Sequence, residues 1–332
     1  MATKKTLAVF GATGYQGGAI ISHFRTLHTS PYHIRALTRN PSSAAAQKIA
    51  SSGIEVIRGD LDDAESLTLA LAGVSAVFLV TDFFSCADPG AEREKAQAKR
   101  VLDILSSSPT LEHLIFSSLP SVRDASGGKY TNVVHFDGKA EVVGWLERTH
   151  KDLWAKTTVL WVGTYMQLWK QFRDVFAPAK TVVGGKEVWV HRTTFEAGTK
   201  LPLTDVRDVG KTARAILETG AGLMGGKTVS LVAAEKVSVG EQLDIWGRFV
   251  GRETSFQRLS DGEGLEKAKG LGFPEFLEKD IWEVGLAFRD CEGRLLEQEG
   301  VVMASEILPE SERLTNWREF VEDEDWKEFL EG

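Results

Sequence analysis

Thr6-Leu-Ala-Val-Phe-Gly-Ala-Thr-Gly-Tyr-Gln-Gly-Gly18 is the stretch on which the arrangement of the chain turns. Thr6 to Phe10 is apolar and β-prone without alternation, the pattern of a strand buried on both faces of a parallel sheet. Glycines then recur at Gly11, Gly14, Gly17 and Gly18, so the strand breaks into a tight turn and a helix starts near Gly14. Lacking a Cβ, Gly11 can take the turn conformation, Gly14 can let the backbone approach a ligand, and Gly17 can let the helix pack close on the strand. The unpaired N–H groups and positive dipole end of such a helix favour a pyrophosphate. The spacing is G-x-x-G-x-x-G rather than G-x-G-x-x-G, and a glycine-rich turn can also serve packing alone. Its place straight after the first strand favours the nucleotide reading.

A chain of 332 residues that is 42% hydrophobic has material for one large α/β domain or two smaller ones. No apolar run approaches the roughly 18 residues a membrane helix needs. Met1-Ala-Thr-Lys-Lys leads into a strand with no signal-peptide core, so the expected address is cytoplasmic. Cys86 and Cys291 form neither a metal-ligand cluster nor a disulfide framework, which fits a reducing compartment. A formal net charge of −8 with no basic patch argues against direct nucleic-acid binding.

Outward from the glycine turn, strands and helices alternate. A helix is expected over Ala19–Thr29, a strand over Tyr32–Thr38, a helix over Ser42–Ser52 and a strand over Ile54–Arg58. Acids in Gly59-Asp-Leu-Asp-Asp63 open a helix reaching Ala72, where they suit an N-cap and the helix dipole. Strands over Val74–Val80 and Leu111–Phe116 flank a helix over Glu92–Ser106. A helix from His135 to Lys151 and a strand over Thr157–Val162 follow. This alternation predicts right-handed crossovers and a doubly wound parallel sheet, with ligands at the carboxyl ends of the strands. Beyond Gly163 the pattern loosens, with a helix over Val206–Leu217, a strand over Lys227–Val232 and a helix over Val239–Val250. The expected division is a nucleotide-binding domain over residues 1–162, to which 200–235 return, and a cap over 163–199 and 236–332. All nine tryptophans lie at or after Trp145, as an aromatic core of that second region or the lining of an apolar pocket. The acidic tail from Trp317 is expected to be one amphipathic helix docked through Phe320, Trp326 and Leu330.

Two constellations carry chemistry. At the end of the second strand no carboxylate is present to accept from a ribose 2′-OH, because no Asp or Glu occurs from Ala19 to Ile54. Arg39 stands there instead, with Ser42 and Ser43 behind it, offering a planar donor fork to a 2′-phosphate. This favours NADP over NAD. Asp62, with Leu61, either edges an adenine pocket or caps a helix. The second constellation is His135-Phe-Asp-Gly-Lys139, whose ends share a helix face. Short-chain dehydrogenases carry Tyr-x-x-x-Lys at this place. The spacing survives here and the tyrosine does not, so Lys139 is the candidate catalytic lysine. His135 is a candidate proton donor and equally a first-turn helix residue.

With these residues in view, the chain resembles the NmrA-like family of atypical short-chain dehydrogenases/reductases. The resemblance rests on Phe10-Gly-Ala-Thr-Gly-Tyr-Gln-Gly-Gly18, Leu37-Thr-Arg-Asn-Pro41, Gly59-Asp-Leu-Asp-Asp63, Val80-Thr-Asp-Phe-Phe84, Val134-His-Phe-Asp-Gly-Lys139 and Leu271-Gly-Phe-Pro274. It implies a Rossmann domain with a smaller C-terminal cap. It also implies NADP(H) contacts from Gly11, Ala12, Thr13, Gly14, Tyr15 and Gln16 at the phosphates, and from Arg39, Asn40, Pro41, Ser42 and Ser43 at the 2′-phosphate. Leu61 and Asp62 would meet the adenine. Asp82, Phe83, Phe84, Lys139, Gly163, Thr164, Tyr165 and Met166 would surround the nicotinamide. Ser43 stands where some relatives have lysine, and Gly163-Thr-Tyr-Met-Gln-Leu168 replaces the more usual G-F-Y-M-E-N.

The family implies two kinds of function. One is an oxidoreductase using NADP(H) on a small apolar or aromatic carbonyl or enone, in fungal secondary metabolism, with substrate held between the sheet edge and the tryptophan-rich cap. The other is an NADP(H)-binding redox sensor acting through a protein partner, with a nuclear address open to it. The elaborate cap favours the first.

Overall fold

The computed structural model describes residues 4–27, 30–86, 89–292 and 294–331. Lys5–Val9 (β1), Tyr15–Thr26 (α1), Tyr32–Thr38 (β2), Ala44–Ala50 (α2), Glu55–Arg58 (β3), Ala64–Ala70 (α3) and Ala76–Leu79 (β4) alternate strictly. A single turn, Phe83–Cys86 (α4), precedes Glu92–Ser106 (α5), His113–Ser118 (β5), the turn Val122–Ala125 (α6), Val134–Thr149 (α7), Lys151–Trp154 (α8) and Thr157–Val162 (β6). Then come Thr164–Tyr165 (β7), Leu168–Gln171 (α9), Arg173–Phe176 (α10), Ala179–Val183 (β8), Lys186–Thr193 (β9), Leu203–Thr204 (β10), Asp208–Thr219 (α11), Ala221–Met224 (α12) and Lys227–Leu231 (β11). The rest is Val239–Val250 (α13), Thr254–Arg258 (β12), Asp261–Lys269 (α14), Glu275–Asp290 (α15), Val302–Met303 (β13), Ala304–Ile307 (α16), Trp317–Asp323 (α17) and Lys327–Glu331 (α18).

Eight strands form one sheet in the order β13-β11-β6-β5-β4-β1-β2-β3, every pair parallel. Chain order reverses between β1 and β4, and the crevice beyond their carboxyl ends is where such sheets take ligands. Along β1, Leu7 and Val9 face one apolar cluster with Ile20 and Phe24 of α1 and Val209 of α11. Ala8 and Phe10 face the other, with Leu67 of α3 and Val101 of α5. A strand sandwiched in this way has no polar face, hence the continuous apolar run. No helix among the described residues is long and apolar enough to cross a membrane.

Several boundaries differ from expectation. Leu27 turns extended and ends α1 at Thr26, and the end expected at Thr29 lies outside the described residues. β5 runs on through Ser117 and Ser118, which are buried despite their hydroxyls. α7 stops at Thr149 because His150 leaves helical geometry (φ −127°, ψ 64°), and α8 is a separate turn. The tail is two short helices, α17 and α18, with Trp326 between them. Phe320 and Trp326 are buried as expected, together with Trp317 and Phe329.

The division of the chain also needs correction at its end. β11 pairs with β6, but β13, from within the stretch assigned to the cap, pairs with the outer side of β11. Ala304 and Leu314 then join the cluster under β1, so residues from 302 to 314 cover the sheet rather than a substrate. The cap has its own sheet, order β12-β9-β8, and a core of Trp169, Trp189, Trp246, Trp317, Phe320, Trp326 and Phe329. Ring centroids such as Trp169–Trp317 at 4.8 Å and Trp189–Trp246 at 5.4 Å show that these rings fill one another's space. Five tryptophans therefore make a packed core, the first of the two readings of the tryptophan-rich region, rather than the lining of a pocket.

Candidate active site

The turn after β1 is shaped by its glycines. Gly11 has φ +62°, the left-handed region, and a Cβ there would sit 2.8 Å from Val80 Cγ1. Gly17 lies against the turn itself, since a Cβ would come within 2.3 Å of the Gly11 carbonyl oxygen. Gly14 is the N-cap of α1, extended, with no side-chain cap and no acid in the following turn. Ala12 is buried, whereas Thr13, Gly14 and Tyr15 are exposed. The first N–H groups of α1 thus carry no protein side-chain acceptor, the electrostatic condition for an anion. Gln16 donates from Nε2 to the Tyr165 hydroxyl at 2.6 Å, while its Oε1 is enclosed and without a partner.

At the end of β2, Arg39 is exposed, and its guanidinium has no hydrogen bond or ion pair among the described residues. Its neighbours are occupied in building the turn. Asn40 Oδ1 accepts from Ser42 N at 3.0 Å, Gln47 donates to the Pro41 carbonyl at 2.8 Å, and Ser43 caps α2 by accepting from Ala46 N at 3.3 Å. Of the five residues expected at the 2′-phosphate, Arg39 and the exposed Ser42 present free donors, and Asn40 and Pro41 hold the turn.

Beyond β3, the choice left open for Asp62 is resolved against capping. Asp63 caps α3, accepting at Oδ1 from Glu65 N (3.1 Å) and Ser66 N (3.2 Å). Asp62 instead pairs with Arg93 at 2.8 Å and accepts from Gln97 at 2.9 Å, and the Arg93 contact holds its carboxyl below the usual range. The Leu61 carbonyl accepts from Arg100. This tie joins the β3 turn to α5.

Past β4, Lys139 of α7 reaches back to the sheet edge. Its Nζ donates to Thr81 Oγ1 at 2.8 Å and pairs with Glu94 of α5, a residue only 2% exposed. Thr81 Oγ1 also donates to Glu94 Oε1 at 2.7 Å, and Glu94 Oε2 is enclosed without a partner. One turn earlier, the backbone N–H of His135 donates to Asp280 Oδ2 at 3.0 Å, and His135 Nδ1 bonds Asp280 Oδ1. Asp280, on α15, is fully buried. Phe83 and Phe84 bracket the imidazole at 5.9 and 5.8 Å between centroids, Phe83 buried and Phe84 exposed. Asp82 is exposed and accepts from Ser85 N at 3.3 Å, so it shapes the α4 turn.

Glu94 and Asp280 are the charged residues that sequence reasoning missed. Each had a signal. Glu94 falls in line with Ala98, Val101, Leu102 and Leu105, and Asp280 with Phe276, Leu277, Val284 and Ala287, so both acids occupy the apolar stripe of an amphipathic helix. A carboxylate on such a face needs a partner.

After β6, Gly163 is pressed against the next segment, since a Cβ would lie 2.2 Å from the Pro202 carbonyl oxygen. Thr164 and Tyr165 pair with Leu203 and Thr204. Tyr165 turns to Gln16 and lies edge-on to Tyr15 at 6.4 Å, and burial pushes its phenol pKa up. The Met166 side chain is fully buried in the aromatic core of the cap, which leaves its backbone as the part that would meet a nicotinamide. The remaining candidates all follow the carboxyl ends of β1 to β6. Gln16 with Tyr165 and Thr81 with Lys139 are direct ties across that edge.

Comparison with known proteins agrees with this architecture. An NmrA-like family domain-containing oxidoreductase, hkm9, of Aspergillus hancockii is 35% identical over 130 residues, 39% of this chain and 38% of the relative, so the match spans about two fifths of that relative's length. Among solved structures, NmrA, a negative transcriptional regulator determined in complex with NADP, superposes with a TM-score of 0.71 at 18% identity, covering 97% of this chain and 95% of that one. The NADPH-dependent quinone oxidoreductase QOR2 of Escherichia coli, complexed with NADPH, gives a TM-score of 0.67 at 21% identity, covering 95% and 98%. At these identities the superpositions establish a shared fold. The NmrA-like family model matches residues 3–321, nearly the whole length, and the chain belongs to the NmrA-like family.

Proposed function

We propose that this protein is an NADP(H)-dependent oxidoreductase that reduces a small apolar or aromatic carbonyl or enone compound, in a cytoplasmic setting and in secondary metabolism. The observation that carries the reading is the joint presence of an uncapped, acid-free helix start at the glycine turn and, at the end of β2, an arginine unpaired among the described residues. The first suits a pyrophosphate and the second a 2′-phosphate. The cradle fits further in detail, because a side chain at Gly11 would meet Val80 and one at Gly17 would collide with the turn, and the enclosed Gln16 Oε1 has no donor among the described residues. The Aspergillus relative is an NmrA-like oxidoreductase by name, and QOR2 is an NADPH-dependent quinone oxidoreductase.

Bound there, NADPH supplies a hydride. The chain's own residues would hold the pyrophosphate through backbone N–H groups from Thr13 to Gln16 and the 2′-phosphate through Arg39 and Ser42. Lys139 would present its ammonium to the ribose, and Phe84 an exposed aromatic surface to an apolar substrate. The substrate side is assigned to residues 163–199 and 236–332, less residues 302–314. The test is NADPH consumption with 9,10-phenanthrenequinone and benzylideneacetone as probes, run in parallel with NADH. Turnover with NADPH well above that with NADH is expected, and equal use of the two, or none of either, overturns the reading.

One observation favours a second reading. Lys139 is already saturated by Thr81 and Glu94, and the buried carboxylate offsets the positive field expected of the lysine. A redox sensor that binds NADP(H) and signals to a protein partner needs no such field. NADPH binding without turnover, together with partner binding that responds to the cofactor, would establish it.

A further inference from the structure

We infer that Asp280 is the positioning residue of a proton relay, fixing the ring of His135 so that Nε2 is the nitrogen that gives a proton to the substrate oxygen. The inference rests on the oxidoreductase reading. Asp280 spends both oxygens on one residue: Oδ2 accepts from the His135 backbone N–H at 3.0 Å and Oδ1 bonds Nδ1. The N-cap position of α7, Val133, offers no side-chain cap, so Asp280 supplies the cap from another helix. Capping needs one oxygen only, and the other sets the ring. A carboxylate can only accept, so Nδ1 must donate, and the nitrogen left for chemistry is Nε2.

Nε2 has no protein partner among the described residues and is not enclosed. The ring plane is held by Phe83, Phe84 and Phe136, the last at 4.7 Å between centroids. The carboxylate is held as firmly. On the same helix, Glu283 accepts from Asn132 N at 2.8 Å, and Asp290 accepts from the Tyr130 hydroxyl at 2.5 Å. Three acids of α15 thus clamp the loop that leads into α7. The neighbouring charges on these elements have other partners: Lys139 pairs with Glu94, Asp82 is engaged by Ser85, Asp137 accepts from Ser121 and the Arg123 N–H, Glu141 pairs with Lys95, Lys279 with Glu275 and Arg289 with Asp261. Asp280 is therefore the acid in contact with the ring.

As the substrate carbonyl carbon receives a hydride from NADPH, its oxygen takes the Nε2 proton. The ring is left neutral with its remaining hydrogen on Nδ1, held by Asp280, and solvent returns a proton to Nε2. One carbonyl, one NADPH and one proton become one alcohol and NADP⁺.

The experiment combines long-range ¹H–¹⁵N spectra of the full chain with NADPH turnover using 9,10-phenanthrenequinone. In the wild type the neutral His135 ring should carry its hydrogen on Nδ1. Asp280→Asn keeps the shape but places an amide beside the ring. It should move the hydrogen to Nε2 and lower kcat by about 10²- to 10⁴-fold, with little change in NADPH affinity. His135→Gln, which still donates to Asp280 and so guards against misfolding, should lower kcat by a similar factor, and the double variant should lose no more than either single one. An unmoved tautomer, or turnover kept in either variant, overturns the relay while leaving the oxidoreductase reading intact. A wild type inert towards the quinone sinks that reading and the relay with it, and Asp280 is then a helix cap.

Discussion

At the residue scale the sharpest claims attach to Arg39 and Lys139. Arg39 is the guanidinium placed at the end of β2 without a partner among the described residues, so a 2′-phosphate would gain a charge-assisted contact worth roughly 1.5–3 kcal/mol, about ten- to a hundredfold in affinity. Arg39→Ala is expected to abolish the preference for NADPH over NADH in calorimetric titration, and an undiminished preference would assign the selectivity elsewhere. Lys139 is different, because its partner is buried. Lys139→Met would leave Glu94 charged in the interior with its counter-ion gone and only the Thr81 hydroxyl as a donor among the described residues, a defect of about 3–5 kcal/mol. Thermal unfolding should show a large loss for Lys139→Met and recovery in Lys139→Met with Glu94→Gln; equal losses would mean that the pair is not coupled. Only the double variant then isolates the effect of the lysine on turnover. His135 and Lys139 were legible as a helical pair, because four-residue spacing fixes a shared face. Their acids were not identified, since Glu94 and Asp280 lie 45 and 145 residues away along the chain and meet them only through the fold.

At the scale of elements, the glycine turn separates ligand approach from packing. A Cβ at Gly14 would lie 3.3 Å from the Gly11 carbonyl oxygen, a contact a small shift relieves, whereas at Gly17 it would lie at 2.3 Å. Gly14→Val is therefore expected to fold and to lose NADPH binding, because its branches cover the open helix start. Gly17→Ala should cost roughly 1–3 kcal/mol by forcing α1 off the turn. Circular dichroism melts and calorimetry distinguish the two, and a Gly14→Val protein that binds NADPH normally would mean that the turn serves packing alone. The central strands β1, β4 and β6 were legible because apolar runs buried on both faces cannot be mistaken for solvent-facing segments, whereas β2 and the edge strand β3, less buried, were legible from their place in the alternation. The end of β5 was not, since Ser117 and Ser118 are polar yet buried. The β8–β9 hairpin went unrecognised although Gly184 and Gly185, both at positive φ, mark a two-residue turn of the primed type between β-prone runs. The tail was expected as one helix because its apolar spacing continues across the break before Trp326.

At the scale of the whole molecule, two buried histidines tie stability to pH. His113, hydrogen-bonded to Thr158 at 2.8 Å, and His191, stacked on Trp169, are both pushed by burial down to about 4. Both are neutral in the fold at neutral pH. As pH falls from 6.5, the unfolded chain takes up protons that the fold refuses until about 4, so stability declines across that window, by about 3 kcal/mol per residue at its lower end. The melting temperature should fall steadily from pH 6.5 towards 4, and His191→Phe, which keeps a ring on Trp169, should flatten the decline; an unchanged slope would mean that His191 is not closed off. The concentration of tryptophan in the second half was visible in sequence, but whether the rings face a ligand or one another depends on contacts between α9, β9, α13 and the tail that spacing along the chain does not encode.

The most direct measurement of the oxidoreductase assignment follows the hydride itself. C4-deuterated NADPH is incubated with the protein and a quinone or enone probe, and the product is examined by mass spectrometry. The expected result with the enone benzylideneacetone is one deuterium on the reduced carbon of the probe; with a quinone, whose hydroquinone keeps no carbon-bound hydride, the expected result is oxidation of the cofactor with the label released to solvent. A protein that binds the labelled NADPH while probe and cofactor both remain unchanged would contradict the assignment and leave the sensor.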